Sequence, residues 1–324
     1  MSNNLYRQER FLLMTLDPVH VGTGGNRLGR VDNSIVREPG TRLPKIPGTA
    51  LHGAIRQYAA YRYESRRCAG AGQGDENRGK ERHCRDNECP ICYTFGYLKG
   101  QDGGQSGRVN IGDARLLFFP VHSLAGPVWV TSPSVLNEFG IQDKVENDKV
   151  KLSSGLSGHN YLNLGWLMLE KEDGDFSLPN GIPAEIKDRT VLVSDKLFSQ
   201  VVNSNLEVRT SVSIDPNTGA ASEGALFTYE AIPRATLLWV DVVEDDFTKE
   251  FKLTEKKCKV EKITKNGKEE NEYTHHTGAS LGETWQCPLD VVSAGLKLTE
   301  HLGIGGMGTR GFGRVRLLNA GKSS

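Results

Sequence analysis

The sequence predicts an α+β fold of the ferredoxin-like or RRM-like kind, and three observations carry that expectation. A β-rich opening segment, FLLMTLDPVHVGTG, leads into a helical segment, IPGTALHGAIRQYAAYRYES. A turn-centred excursion, LEVRTSVSIDPNTGAASEGALFTYEAIP, occupies the second half of the chain. The chain then closes on a helical segment, VVSAGLKLTEHLG, and a strand, RVRLLNA. The order strand, helix, strands, excursion, helix, strand fits a sheet surface that RNA-binding proteins use often.

Each element has its own signal. The first strand runs out into a glycine turn. Pro47, Gly48 and Thr49 supply a helix start, and Leu51, Ile55, Tyr58 and Ala59 recur at helical spacing. From Cys68 to Gly107 the chain is polar, glycine-rich and poor in core residues, so residues 64–108 are expected to form an insertion. ARLLFFPVHSL and PVWVTSPSVL predict two strands leading to a short helix, whereas residues 143–190 are weakly patterned. Asp215-Pro216-Asn217-Thr218-Gly219 is a strong turn between β-rich flanks, which predicts a hairpin over residues 206–233. Residues 241–285 alternate charges with few apolar anchors and predict a charged surface insertion.

Length and composition bound the function classes. At 324 residues, 37% hydrophobic and 25% charged, the chain suits one core with sizeable insertions. Forty lysines and arginines balance forty acids, which taken alone weighs against a nucleic-acid partner. The charge is uneven, however: Arg27 to Arg67 carries nine basic residues against Asp32, Glu38 and Glu64. The opening residues MSNNLYRQER lack the apolar core of a signal peptide, and no run reaches membrane-spanning length, so a cytoplasmic protein is expected.

Three motifs carry chemistry. Cys84-x4-Cys89-x2-Cys92, with Cys68 upstream, offers four thiolates inside the core-poor insertion, the ligand set of a closed structural zinc site. His83 is an alternative fourth ligand, and unrelated free cysteines are the bland reading. The loop GIGGMGTRGFGRVR lets backbone N–H groups approach phosphate, with Arg310 and Arg314 adding charge. It follows a helix and precedes a strand, the reverse of a dinucleotide fingerprint, and a tight connection is its simpler reading. Finally, HVGTGGNRLGRVDNSIVREPGTRLPKIPGTALHGAIR sets Asp32 among Arg30, Arg37 and glycines, just before a helix start that can bind anions. There Asp32 either works on a bound RNA or forms a salt bridge that merely orders the loop.

The segments HVGTG, VDNSIVREPGT, PKIPGTALHGAIR, DARLLFFPVHSLAGPVWVTSPSVL, EGALFTYEAIP and LGIGGMGTRGFGRV, in this order, resemble the RAMP superfamily of CRISPR proteins. More narrowly they resemble the backbone subunits of type III-B (Cmr) effector complexes. The cysteine-rich insertion is more similar to the equivalent subunit of type III-A complexes. The resemblance spans nearly the whole chain and implies a single RAMP palm over residues 1–324, with the zinc-binding insertion and the hairpin as a thumb.

The resemblance also implies a function. Copies stack head to tail along a CRISPR guide RNA beside other Cmr-type subunits, without a membrane. The thumb interrupts the guide–target duplex at regular intervals, and complementary target RNA is cut there in a divalent-cation-dependent reaction, magnesium being the expected ion. Matching the family's motifs makes Asp32 the catalytic residue, with His20 and Glu230 in support. Arg30, Arg37, Lys45, Thr49, His52, Arg56, Arg209, Gly305, Gly306, Gly308, Arg310, Gly311 and Arg314 are then candidate RNA contacts, with Leu226 and Phe227 as wedges. One departure stands out: where the family has a small residue, lysine and glycine, this chain has Leu51-His52-Gly53. His52 is largely neutral at pH 7, so the guide contact there is expected to weaken or to pass to Arg56 or Lys45. A non-catalytic filament subunit, a guide-processing RAMP endoribonuclease and an unrelated zinc-ribbon nucleic-acid-binding module are the competing readings.

Overall fold

A computed structural model describes residues 6–24, 31–70, 84, 88–98, 104–251, 260–265, 268–273 and 285–319. The first half contains β1 (Arg7–Thr15), α1 (Gly48–Arg62), α2 (Pro90–Phe95), β2 (Tyr97–Leu98), β3 (Gly104–Gln105) and β4 (Val109–Ile111). It continues with β5 (Arg115–Ser123), β6 (Gly126–Thr131) and α3 (Pro133–Glu138). Then come β7 (Lys149–Leu152), β8 (Tyr161–Leu164), β9 (Leu167–Lys171), α4 (Ala184–Lys187), β10 (Thr190–Val193) and α5 (Asp195–Ser204). The remainder is β11 (Glu207–Ile214), β12 (Ala221–Ala231), β13 (Leu237–Glu244), β14 (Val260–Lys265), β15 (Lys268–Tyr273), α6 (Pro288–Leu302) and β16 (Val315–Asn319).

The main sheet runs β16-β1-β13-β5-β6-β10-β7-β9-β8, with β4 also paired to β13. Its first four strands are each antiparallel to their neighbours and, with α1 and α6, trace the βαββαβ path of a ferredoxin-like core. Everything from residue 124 to 236 is therefore inserted between the second and third strands of that core. The apolar run of β1 explains its inner place, since Phe11, Leu12 and Leu13 are at most 1% exposed. Helices α1 and α6 pack at the glycine Gly295, where any side chain would collide with the Ile55 carbonyl.

Residues 143–190, unpatterned in the sequence, contribute β7, β8, β9 and α4 and widen the sheet. These strands are four or five residues long, too short for an alternation to register. The first four residues of the charged stretch 241–285 belong to β13, where Val242 is fully buried. Beyond Phe251, the described residues of that stretch before Trp285 pair as the β14–β15 hairpin.

Candidate active site and nucleic-acid interface

Strands β11 and β12 form a two-stranded hairpin separate from the main sheet, with Thr210 opposite Thr228 and Val212 opposite Leu226. Residues directly opposite share a face, so Val208, Thr210 and Val212 stand beside Glu230, Thr228 and Leu226. Much of this face is apolar and open: Val208 is 43% exposed, Val212 46% and Leu226 63%. The other face carries Arg209, Ser211, Phe227 and Tyr229.

The segment carrying Asp32 is fastened to the base of this hairpin. Asn33 pairs in parallel with Tyr229: its N–H donates to the Thr228 carbonyl, and its carbonyl accepts from the Glu230 N–H at 3.0 Å. Asp32 itself is exposed. Its Oδ2 accepts from the Thr228 hydroxyl at 2.7 Å and the Thr228 N–H at 2.8 Å, while its own N–H donates to Thr228 Oγ1 at 2.9 Å. Those bonds stabilise the carboxylate, so its pKa falls below the usual aspartate value. Among the described residues no cation forms an ion pair with Asp32; its fastening comes from Thr228.

Glu230 and His20 lie immediately behind. Glu230 is buried, accepts from Arg37 Nη2 at 2.5 Å, and accepts the Ile35 N–H at 3.2 Å. Arg37 also donates to Asn203 Oδ1 and the Ile35 carbonyl, so it is held inside the protein. His20 Nδ1 lies 2.6 Å from the Glu230 carbonyl. A carbonyl only accepts, so Nδ1 carries a hydrogen and Nε2 is the nitrogen left for other chemistry. The His20 ring meets Tyr229 edge-on at 5.8 Å.

The glycine loop closes over the same place. Gly306 N–H donates to the His20 carbonyl at 2.9 Å, and Gly305 has a φ of +87° in a spot where a Cβ would strike that carbonyl. Gly308 and Gly311 are exposed. Arg310 lines a shallow depression with Ser211, Phe227 and Tyr229, and the Arg209 guanidinium lies 4.8 Å over the Phe312 ring. Asp32, His20 and Glu230 thus gather at the base of the hairpin, with Leu226 on the Thr228 face and Phe227 on the face that the Arg310 loop adjoins.

With fold and site in place, similarity to known proteins becomes informative. The sequence pattern of the RAMP superfamily matches residues 12–316. The chain belongs to the RAMP superfamily. The CRISPR system Cmr endoribonuclease Cmr4 of Pyrococcus furiosus is 29% identical over 252 residues, which is 70% of this chain and 78% of the relative. The CRISPR system Cms endoribonuclease Csm3 of Methanothermobacter thermautotrophicus is 32% identical over 80 residues, 24% of this chain and 28% of that relative. Among solved structures, the type III-B Cmr-beta apo state aligns with a TM-score of 0.60 at 16% identity, covering 96% of both chains. A crystal structure of Cmr4 aligns with a TM-score of 0.56 at 23% identity, covering 96% of this chain and 98% of that one. At these identities the structural likeness establishes the RAMP fold.

Other sequence-selected residues of this RAMP chain lie apart. Lys45 bridges Asp113 at 2.6 Å and Glu38 at 3.0 Å, and Asp113 also caps the first turn of α1 by accepting the Gly48 N–H at 2.7 Å. Thr49 is exposed in that turn. Burial lowers the His52 pKa, Arg56 adds to the effect, and the ring packs edge-on against Phe95 at 5.3 Å. Arg56 is 9% exposed and donates to the Cys68 and Phe95 carbonyls, so it is withdrawn from the surface on the inward side of α1. Arg314 grips Asp17 with two nitrogens, at 2.5 and 3.0 Å. Arg30 and His83 lie outside the described residues.

The sulfurs of Cys68, Cys84, Cys89 and Cys92 all lie within 4.8 Å of one another. Separations of 3.5 Å for Cys84–Cys92 and 3.9 Å for Cys89–Cys68 are far too long for disulfides. They suit four thiolates around one tetrahedral ion with metal–sulfur bonds of about 2.3 Å. The residues present therefore fit a metal such as zinc. Thr228 is the residue the sequence reading missed. It precedes Glu230 by two in a β-rich run, and period-2 alternation was the available signal that both face the same way.

Proposed function

We propose that this chain is the guide-RNA-binding backbone subunit of a type III-B CRISPR effector that cleaves complementary target RNA at regular intervals, with Asp32 as the catalytic carboxylate. The observation that carries this reading is an exposed, ionised Asp32 fastened at the base of a hairpin whose same face presents Leu226. The endoribonuclease name of the Pyrococcus relative and the likeness to a type III-B Cmr-beta chain in a structure bound to cognate target RNA support it.

RNA brings its own nucleophile, the 2′-OH, so the protein's main task is geometric. A nucleotide held out of the A-form stack by the thumb can bring that hydroxyl in line with the scissile bond. Leu226 and Phe227 are the proposed wedges. Asp32, kept charged by Thr228, orients the reacting groups or accepts the proton, a role worth about 10²–10⁴ in rate. A divalent cation shared between Asp32 and RNA phosphate, with magnesium the proposed ion, would supply charge neutralisation there. His20 Nε2 stands ready for proton transfer, and the products are a 2′,3′-cyclic phosphate and a 5′-OH.

The guide is assigned to Lys45, Thr49, His52 and the glycine loop with Arg310, and Arg209 to the hairpin side. Arg37 acts by holding Glu230, and zinc on the four cysteines braces the insertion over residues 64–108. Further copies of the chain and other Cmr-type subunits are the proposed partners. The proposed setting is the cytoplasm, where thiols stay reduced. Among the described residues, no helix is long and apolar enough to cross a membrane.

The test is cleavage of end-labelled complementary RNA by the reconstituted guide-bound complex, wild type against Asp32→Ala, with magnesium present or chelated. A regular ladder that disappears with either change is expected. An undiminished ladder from the mutant would move catalysis away from Asp32, and an undiminished ladder under chelation would remove the cation.

A further inference from the structure

We infer that Thr228 is the positioning residue of Asp32, coupling the set of the thumb hairpin to the orientation of the catalytic carboxylate. The inference rests on the function proposed above and adds a residue that neither the sequence motifs nor the relatives assign. Thr228 contacts Asp32 through three hydrogen bonds, two into Oδ2 and one from the Asp32 N–H. An exposed aspartate on a surface loop ordinarily samples several rotamers. Two donors on one oxygen remove that freedom and leave Oδ1 as the oxygen turned to other partners.

The hydroxyl is the specific element. It donates to Oδ2 while accepting the Asp32 N–H, so it reads both the backbone and the side chain of the same residue. Serine can do this; valine, with the same shape, cannot. Thr228 lies on β12 two residues from Leu226 on the same face, about 7 Å along the strand. A base pushed aside at Leu226 and a carboxylate held at Thr228 therefore move as one rigid hairpin. The Asn33–Tyr229 pairing keeps the backbone in register when the hydroxyl alone is removed.

Among the described side chains, the charged group on β12 near Asp32 is Glu230, paired with Arg37, and the preceding segment contributes His20, which is bonded to the Glu230 carbonyl. No described charged side chain contributes to the lowered pKa of Asp32; the Thr228 bonds do.

The experiment compares wild type, Thr228→Val, Thr228→Ser and Asp32→Asn in the reconstituted guide-bound complex, scoring target binding and single-turnover cleavage. The expected result is unchanged binding, cleavage slowed about tenfold or more in Thr228→Val, and near wild-type behaviour in Thr228→Ser. Equal rates in Thr228→Val, with Asp32→Asn inactive, would overturn the role of Thr228 alone. Full cleavage by Asp32→Asn would overturn the underlying reading. Slowing of Thr228→Val and Thr228→Ser alike would assign the residue to shape rather than to its hydroxyl and also overturn the inference.

Discussion

Arg37 holds Glu230 at 2.5 Å across the junction between the segment that carries Asp32 and the base of the hairpin, with both side chains largely shielded from water. The pair joins residues 193 apart in sequence, and its acid also receives the Ile35 N–H. It is the internal brace of the site, with Thr228 as its outer counterpart.

Removing one partner leaves the other charge shielded and unmatched. Arg37→Leu is expected to destabilise the chain by about 3 kcal/mol. Urea unfolding of Arg37→Leu, Glu230→Gln and the double variant checks this, and the double variant should lose much less than the sum.

Leu226 should behave in the opposite way. It is 63% exposed, so Leu226→Ala is expected to change stability by no more than about 0.5 kcal/mol. The same substitution should slow target cleavage while leaving guide binding intact, because a wedge acts only on the duplex. Equal cleavage at matched target occupancy would dismiss Leu226 as a wedge.

Asp113 offers a pH-dependent test of the helix start. Burial raises its pKa, but the bonds from Lys45 and the Gly48 N–H outweigh that, and the net shift is downward. Its contribution to stability is therefore complete above the ordinary carboxylate range and is lost as pH falls through its lowered folded value. Asp113→Asn is expected to cost about 1 kcal/mol at neutral pH, and the gap to wild type should close in acid. Denaturant midpoints at several pH values measure it.

The four cysteines predict a bound metal and its structural effect. Purified protein should carry one zinc per chain, and Cys89→Ser should lose it. Chelation should lower the thermal midpoint and expose the insertion to proteolysis, because a core-poor segment has little else to hold it. Zinc-free protein of unaltered midpoint would end the structural assignment.

How much was legible follows from how local each signal is. The helical spacing through Leu51 and Ile55 and the turn at Asp215–Gly219 depend on neighbours in sequence, and α1 and the β11–β12 hairpin stand where those signals put them. The cysteine spacing was legible for the same reason, and the four sulfurs do converge. Residues 143–190 were not, because strands of four or five residues owe their state to the sheet they join rather than to their own pattern.

By itself, then, the sequence determined the order of core elements, the hairpin turn and the thiol cluster, while the family resemblance pointed to His20, Asp32 and Glu230. Tertiary structure alone decided what each charge does. It turned Arg56 inward beside the cysteines, paired Arg37 with Glu230 and Arg314 with Asp17, and held Asp32 by a threonine. A residue's type states which charge it can carry. Only the fold sets its distance to partners and its burial, and those fix whether the charge faces a ligand or the protein.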